Sequence, residues 1–257
     1  MLLAVDIGNT HIVVGLLDGG GKVRFNWRIA GQGHKTEDEY GFMLQSMLQH
    51  AGITKEELAG GVIASVVPPL TPVFEKAMRV YLGISALVVG PGTKTGVNIK
   101  YENPKEAGPD RIANAVAAYH KYGGPVIVVD FGTATSFDAI SKNGDYMGGA
   151  IAPGIMTATD ALFAKAARLP RIELLRPPQA IGRNTVQSMQ SGIVFGFAGQ
   201  TDALVKRIAA ELGGNPRVIA TGGHAQLVAS ESETITDVDP TLTLEGLYLI
   251  YNMNNRA

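Results

Sequence analysis

Apolar and β-branched residues at the start of the chain come in short runs separated by small polar residues. Leu2 to Ile7 is followed by Gly8-Asn9-Thr10, Ile12 to Leu17 by Gly19-Gly20-Gly21, and Val23 to Ile29 completes the set. That punctuation predicts three antiparallel strands in a meander. Thr36 with Glu39 three residues on forms a capping box, and Tyr40, Leu44, Met47 and Leu48 then recur at helical spacing, which predicts a helix over residues 37–50. Val62 to Val67 reads as a buried strand that Pro68-Pro69 ends. Thr71-Pro72 reads as an N-cap with proline at N1, opening a helix to about Leu82. Ala86 to Val89 is a further short strand, and Gly90 to Pro109 reads as loop. Ile112, Val116 and Tyr119 mark the next helix, closed by Gly123-Gly124.

From Pro125 the pattern starts again. Val126 to Phe131, a Gly132-Thr133-Ala134 turn, Thr135 to Ile140 and a strand near Tyr146 to Ile151 repeat the meander. Helices are expected over Asn184 to Glu211, Ala225 to Ser230 and Leu242 to Met253, with a strand at Val218 to Ala220. Val5-Asp6-Ile7-Gly8-Asn9-Thr10 and Val129-Asp130-Phe131-Gly132-Thr133-Ala134 share one grammar: an aspartate ends an apolar strand and a Gly-containing turn opens the next. The two aspartates lie 124 residues apart. This predicts an internal duplication, with α/β domains at residues 1–121 and 122–257, each a sheet covered by helices, meeting at a cleft; the boundary falls within Tyr119 to Pro125.

Composition narrows the chemistry. Lys plus Arg number 22 against 23 Asp plus Glu, so no positive surplus exists to hold a nucleic-acid backbone or an anionic bilayer, and a small molecule or a second copy is the expected partner. No cysteine is present, which excludes disulfides, a thiolate nucleophile and Cys-ligated metal. Met1 to Asp6 lacks a basic leader and Asp6 interrupts its apolar run, so no export signal is expected, and no apolar stretch approaches the roughly 20 residues that cross a bilayer. A soluble, cytoplasmic protein is the expectation. Glycine is abundant, 32 of 257 residues, which points to tight turns of the kind that hold phosphates.

The turn after Asp6 can bend so that consecutive amide N–H groups aim at one point, an anion site. Unlike a P-loop it holds no lysine, and the Asp6 carboxylate at the strand end suggests a hydrated Mg²⁺. An ordinary hairpin explains either turn alone; two such turns on otherwise apolar strands are hard to explain by packing. Thr221-Gly222-Gly223 follows a buried strand and leaves room for a planar base, although Gly-Gly after a strand is more often a plain connection. Gly108-Pro109-Asp110-Arg111 precedes a helix. Asp110 there is explained by the helix dipole, worth roughly 0.3–1 kcal/mol, but the neighbouring Arg111 would keep it ionised, and the pair could take a hydroxyl proton while holding an anionic group. The loop Gly90 to Gly96 fits no phosphate-loop spacing. The histidines at 11, 34, 50, 120 and 224 show no zinc-site pairing, and no serine elbow occurs.

With Asp6-x-Gly-Asn-Thr, Asp130-x-Gly-Thr-Ala-Thr and Thr221-Gly-Gly in this order, the sequence resembles the superfamily of acetate and sugar kinases, Hsp70 and actin, whose domains are duplicated and RNase H-like, a mixed sheet flanked by helices, with the active site in the interdomain cleft. Together with Tyr101, Gly108-Pro109-Asp110-Arg111 and Gly148 to Gly154, it is similar over essentially its whole length to the type III pantothenate kinases. That resemblance implies ATP-dependent phosphorylation of pantothenate to 4′-phosphopantothenate, the first step of coenzyme A biosynthesis. It implies that Asp6, Ile7, Gly8, Asn9, Thr10, His11, Ile12 and Val13 cradle the ATP phosphates, with Asp6 near Mg²⁺ and Thr133 adding a contact. It further implies that Asp130 helps bind a monovalent cation, K⁺ or NH₄⁺. Asp110 would be the catalytic base, with Tyr101, Gly108, Pro109, Asp110 and Arg111 around pantothenate, and Thr185 would reach pantothenate across a homodimer interface. The competing readings are a sugar or carboxylate kinase of the same fold, for which 257 residues leave little room for inserts, and a non-catalytic nucleotide-binding regulator resembling Bvg accessory factor.

Overall fold

The structure is a computed structural model and describes residues 1–31, 35–166 and 168–255; His34, one of the five histidines above, lies outside them. The first half runs through β1 (Leu2–Ile7), β2 (His11–Leu17), β3 (Val23–Ala30), α1 (Glu37–Ala51), β4 (Gly60–Ser65), α2 (Thr71–Ala77), β5 (Ala86–Val88) and α3 (Pro109–Tyr122). The second contains β6 (Val126–Phe131), β7 (Ala134–Ile140), β8 (Tyr146–Pro153), α4 (Ile155–Lys165), α5 (Thr185–Leu212), β9 (Arg217–Thr221), α6 (Ala225–Ala229), β10 (Asp237–Val238) and α7 (Leu242–Asn255).

The strands form two five-stranded sheets of one design, β3-β2-β1-β4-β5 and β10-β9-β6-β7-β8. In each, an antiparallel meander is extended by parallel strands beside the strand that ends in aspartate. The duplication read from the two aspartates is therefore a duplication of topology. The central strands alternate which face they bury: Val5, Ile7, Ile12, Val14 and Ile63 join Tyr40 and Leu44 of α1 and Phe74 of α2 in one core, each such side chain contributing roughly 1.5–3 kcal/mol. In the second sheet Ile127, Val129, Phe131 and Val218 pack with Ile193 and Val205 of α5.

The chain divides into two compact units: Met1–Val97, Tyr101–Ala117 and Thr241–Ala257 make one, Asn98–Lys100 and Ala118–Pro240 the other. The last helix, placed with the second domain by sequence order, thus belongs with the first sheet. The reason is packing. Leu244 of α7 sits against Gly15, where a Cβ would come within 2.6 Å of Leu244 Cδ1, and Tyr251 Oη donates to Ala59 O at 3.2 Å. α7 covers the sheet face opposite α1, and Leu244, Leu247 and Ile250 are buried there.

Local signals explain the element ends and the differences from expectation. The capping box of α1 is present, with Glu39 N donating to Thr36 Oγ1 at 3.3 Å and Thr36 N to Glu39 Oε2 at 2.8 Å. β4 runs Gly60–Ser65 rather than Val62 to Val67, because Val67 N donates to Ser65 Oγ and turns the chain there. Thr71 is not an N-cap: a 3₁₀ turn at Pro68–Leu70 precedes α2, which passes into a π-helical turn at Met78–Leu82. Within the expected loop, Pro104–Glu106 forms a 3₁₀ turn capped by Asn103, and Ile99 bridges to Tyr146. Asn184 is the N-cap of α5, its Oδ1 accepting from Gln187 N at 2.9 Å. Sequence reading missed α4, whose buried positions are Ile155 and Thr159 alone, and β10, which at two residues is too short to show a period. Among the described residues, no helix is long and apolar enough to cross a membrane.

Candidate active site

In the first unit β1 carries Asp6 at its end, half-buried, and the chain turns through Gly8, Asn9 and Thr10 into β2. Gly8 N donates to His11 O at 3.0 Å, closing the turn through backbone alone. Among the described residues the Asn9 N–H makes no hydrogen bond, so it is available to an anion. Ile7 and Ile12 are fully buried in the core, so of the residues from Asp6 to Val13 these two can offer a ligand only backbone atoms. Gly31, which sequence reading passed over, braces the turn: its N–H donates to Thr10 O at 2.9 Å, and a Cβ there would lie 2.8 Å from Gly8 O. The signal was a glycine directly after the third strand. Burial, and secondarily the charge of Arg28, lowers the His11 pKa, so its ring is held neutral.

The helix α3 begins at Pro109, which places Asp110 in its first turn, where amide dipoles favour a carboxylate. Asp110 Oδ1 is nevertheless sealed from solvent with no hydrogen-bond partner, and burial raises the Asp110 pKa against the opposing pull of backbone amides and Arg111. This corrects the expectation that Arg111 decides its charge: desolvation is the larger effect. Arg111 Nη1 instead donates to Tyr101 Oη at 3.2 Å, with the guanidinium 6.0 Å from the ring centroid. A Cβ on Gly108 would lie 2.5 Å from Asp110 Oδ1 and 3.8 Å from Val66 Cγ1, and Val66 N donates to Ile7 O at 3.0 Å. Gly108, Asp110, Arg111 and Tyr101 are thus one cluster, adjoining the strand end that bears Asp6.

In the second unit Asp130 occupies the matching place on β6. Gly132 N donates to Ala134 O at 3.0 Å, and three residues separate the paired Phe131 and Thr135 where four separate Ile7 and Ile12. This turn is one residue shorter, and Ala134, expected within it, already begins β7. Thr133 O accepts from Gly154 N at 3.1 Å and from Thr157 Oγ1 at 2.7 Å, so the start of α4 holds the turn. Asp130 pairs with Thr221 across β6 and β9, and Gly222, at φ 91°, lies against it; a Cβ there would be 2.5 Å from Asp130 Oδ1. Gly222 therefore makes room for a carboxylate, a role its sequence context did not suggest. Thr185, the first residue of α5, lines a cavity of about 760 Å³ together with Leu162, Met189, Ile193 and Phe197.

These residues fit the groups a phosphoryl-transfer site needs. The half-buried Asp6 carboxylate at the end of β1 is a single hard oxygen donor of the kind that holds Mg²⁺ together with phosphate oxygens and water.

A model of the type III pantothenate kinase family matches residues 2–207. A type III pantothenate kinase of Moorella thermoacetica is 55% identical over 254 residues, 99% of this chain and 100% of that protein. Two solved structures share the fold: the activator of 2-hydroxyisocaproyl-CoA dehydratase from Clostridium difficile with bound ADPNP, 13% identical at a TM-score of 0.60 over 98% of this chain and 94% of that one, and the inorganic polyphosphate/ATP-glucomannokinase of an Arthrobacter strain, 14% identical at 0.53 over 99% of both. Two topologically equal sheets, each with its aspartate-ended strand, and near-complete coverage by the family's sequence lead to one conclusion: this chain belongs to the type III pantothenate kinase family.

Proposed function

We propose that Asp110 is the base by which this chain phosphorylates the 4′-hydroxyl of pantothenate. The reaction itself is that of the family, ATP-dependent phosphorylation of pantothenate in coenzyme A biosynthesis. The observation that carries the role of Asp110 is its sealed, unpartnered carboxylate oxygen beside the strand end bearing Asp6. In the transfer the hydroxyl oxygen bonds to the γ-phosphorus, the bond from that phosphorus to the β-phosphate bridging oxygen breaks, ADP leaves and the hydroxyl proton passes to Asp110. Because the transition state is loose, Asp110 mainly orients the hydroxyl and accepts its proton late. Arg111 and Tyr101, locked together, would hold the pantothenate carboxylate and polar groups.

Asp6 to Val13 would hold the ATP phosphates through backbone amides, with Thr133 adding a contact, and Asp6 would orient Mg²⁺. Bound Mg²⁺ and a monovalent cation, K⁺ or NH₄⁺ at Asp130, supply the positive charge that neutralises the transferring group. Thr185 would contact pantothenate from the second protomer of a homodimer. The groove beside it and the exposed apolar side chains of Leu162, Leu175, Ile181 and Val186 support a covered face in that region. The enzyme would work in the cytoplasm.

The direct test is coupled ADP release with pantothenate, acetate and several sugars offered in parallel at high K⁺. Release that depends on pantothenate is expected; release driven by a sugar or acetate instead, or by none of them, would overturn the reading. A second expectation concerns Gly108→Ala. The added methyl would claim the space of Asp110 Oδ1, so kcat should fall roughly 10- to 100-fold, with ATP affinity kept, since a misplacement of about 1 Å can cost that much. Wild-type turnover in this variant would show that the carboxylate works from another position.

A further inference from the structure

The register of the first sheet lines up side chains across four strands. Asp6 pairs with Ala64 on one side and with Val13 on the other, and Val13 pairs with Arg28. Directly opposed residues project from the same face, so Asp6, Val13 and Arg28 form one row, on the face opposite the core that contains Val5, Ile7 and Ile12. Neighbouring strands lie about 4.8 Å apart, which puts the Arg28 Cα about 10 Å from that of Asp6 with only Val13 between. The end of β3 is also bound to the turn itself, through Gly31 and Thr10.

A triphosphate in this turn meets no lysine, and the one basic residue between Asp6 and Val13, His11, is held neutral by burial and by Arg28. Arg24, four residues before Arg28, is occupied by Asp18 at 2.7 Å. Arg28 is exposed and, among the described residues, makes no hydrogen bond or ion pair. An exposed arginine is ordinary on a protein surface; one left unpaired in the row of Asp6 and Val13, on a strand tied to an anion-binding turn, is placed for a ligand.

We infer that Arg28 is a phosphate-binding residue of the nucleotide site, its guanidinium reaching past Val13 to the polyphosphate held by the turn from Gly8 to Thr10. The inference rests on the proposed role of that turn. A planar guanidinium can donate two parallel hydrogen bonds to one phosphate, which an ammonium cannot. The charge comes from β3 because the turn is built of backbone and has no long side chain of its own.

The test compares Arg28→Met, Arg28→Lys and Asn9→Pro, which deletes the free amide of the turn, in the full chain by equilibrium binding of ADP and of adenosine, with KM for ATP measured alongside. Arg28→Met is expected to weaken ADP and raise KM for ATP roughly 10- to 100-fold, to leave adenosine affinity and melting temperature unchanged, and to be partly restored by lysine. Equal loss of ADP and adenosine, or loss of neither while Asn9→Pro weakens ADP, would overturn the role of Arg28. Unchanged ADP binding in Asn9→Pro, which has no amide hydrogen at that position, would instead overturn the reading of the turn, and this inference with it.

Discussion

Asp110→Asn is expected to lower kcat roughly 10²- to 10⁴-fold, the usual contribution of a general base, while ATP still binds and the unliganded protein melts at a higher temperature than wild type. The two effects share one cause. Burial raises the Asp110 pKa, so the native state prefers the protonated form, whereas the unfolded chain ionises near the ordinary aspartate value of about 3.9. Stability therefore declines as pH rises from the unfolded value through the raised folded value, and the full penalty is present above the latter. Asparagine removes the penalty, so the melting temperature of the variant should exceed that of wild type at neutral pH and the gap should close in acid. The same shift sets the acid limb of kcat/KM: turnover needs the ionised carboxylate, so activity should fall at a higher pH than an exposed aspartate would dictate. Near-normal kcat in Asp110→Asn would remove this residue from the role of base. A melting temperature below that of wild type would show that the carboxylate, not its absence, is what the fold prefers.

Replacing K⁺ and NH₄⁺ by Na⁺ at constant ionic strength and saturating Mg²⁺ is expected to cut activity by roughly 100-fold or more, comparable to losing a principal stabiliser of developing charge. The two turns, Gly8 to Thr10 and Gly132 to Thr133, are short and polar. Neither contains lysine, and phosphoryl transfer spreads charge over several oxygens that amide dipoles alone offset incompletely. Asp130, near the end of β6 with Gly222 against its carboxylate, is the proposed seat of the cation that offsets this charge. Asp130→Asn should reproduce the Na⁺ result in K⁺, and adding K⁺ should not restore it. Full activity in Na⁺ would remove the cation role of Asp130, and activity restored by K⁺ in Asp130→Asn would move the cation elsewhere.

Much of this protein is written locally. The strand ends at Ile7 and Phe131, the capping box at Thr36 and Glu39, and the period of Tyr40, Leu44 and Leu48 depend on residues a few positions apart, so pattern and propensity sufficed to find them. The repeated aspartate and turn revealed the duplicated topology because each copy must place a polar residue where an apolar strand ends. Helix α4 escaped because its buried face is narrow, and the roles of Gly31 and Gly222 escaped because a close approach between distant backbone segments leaves no periodic trace.

Tertiary structure alone decided three things. It returned α7 to the first sheet, since an apolar helix face is satisfied by whichever surface is uncovered and not by its neighbour in the sequence. It set the charge balance of Asp110, where adjacency to Arg111 pointed one way and burial prevailed, because desolvation depends on everything packed around a group and not on its neighbour in the chain. And it put Arg28 in the row of Asp6, a pairing fixed by the register of three strands: twenty-two residues of sequence separate the two side chains, and the ladder reduces that to two strand spacings.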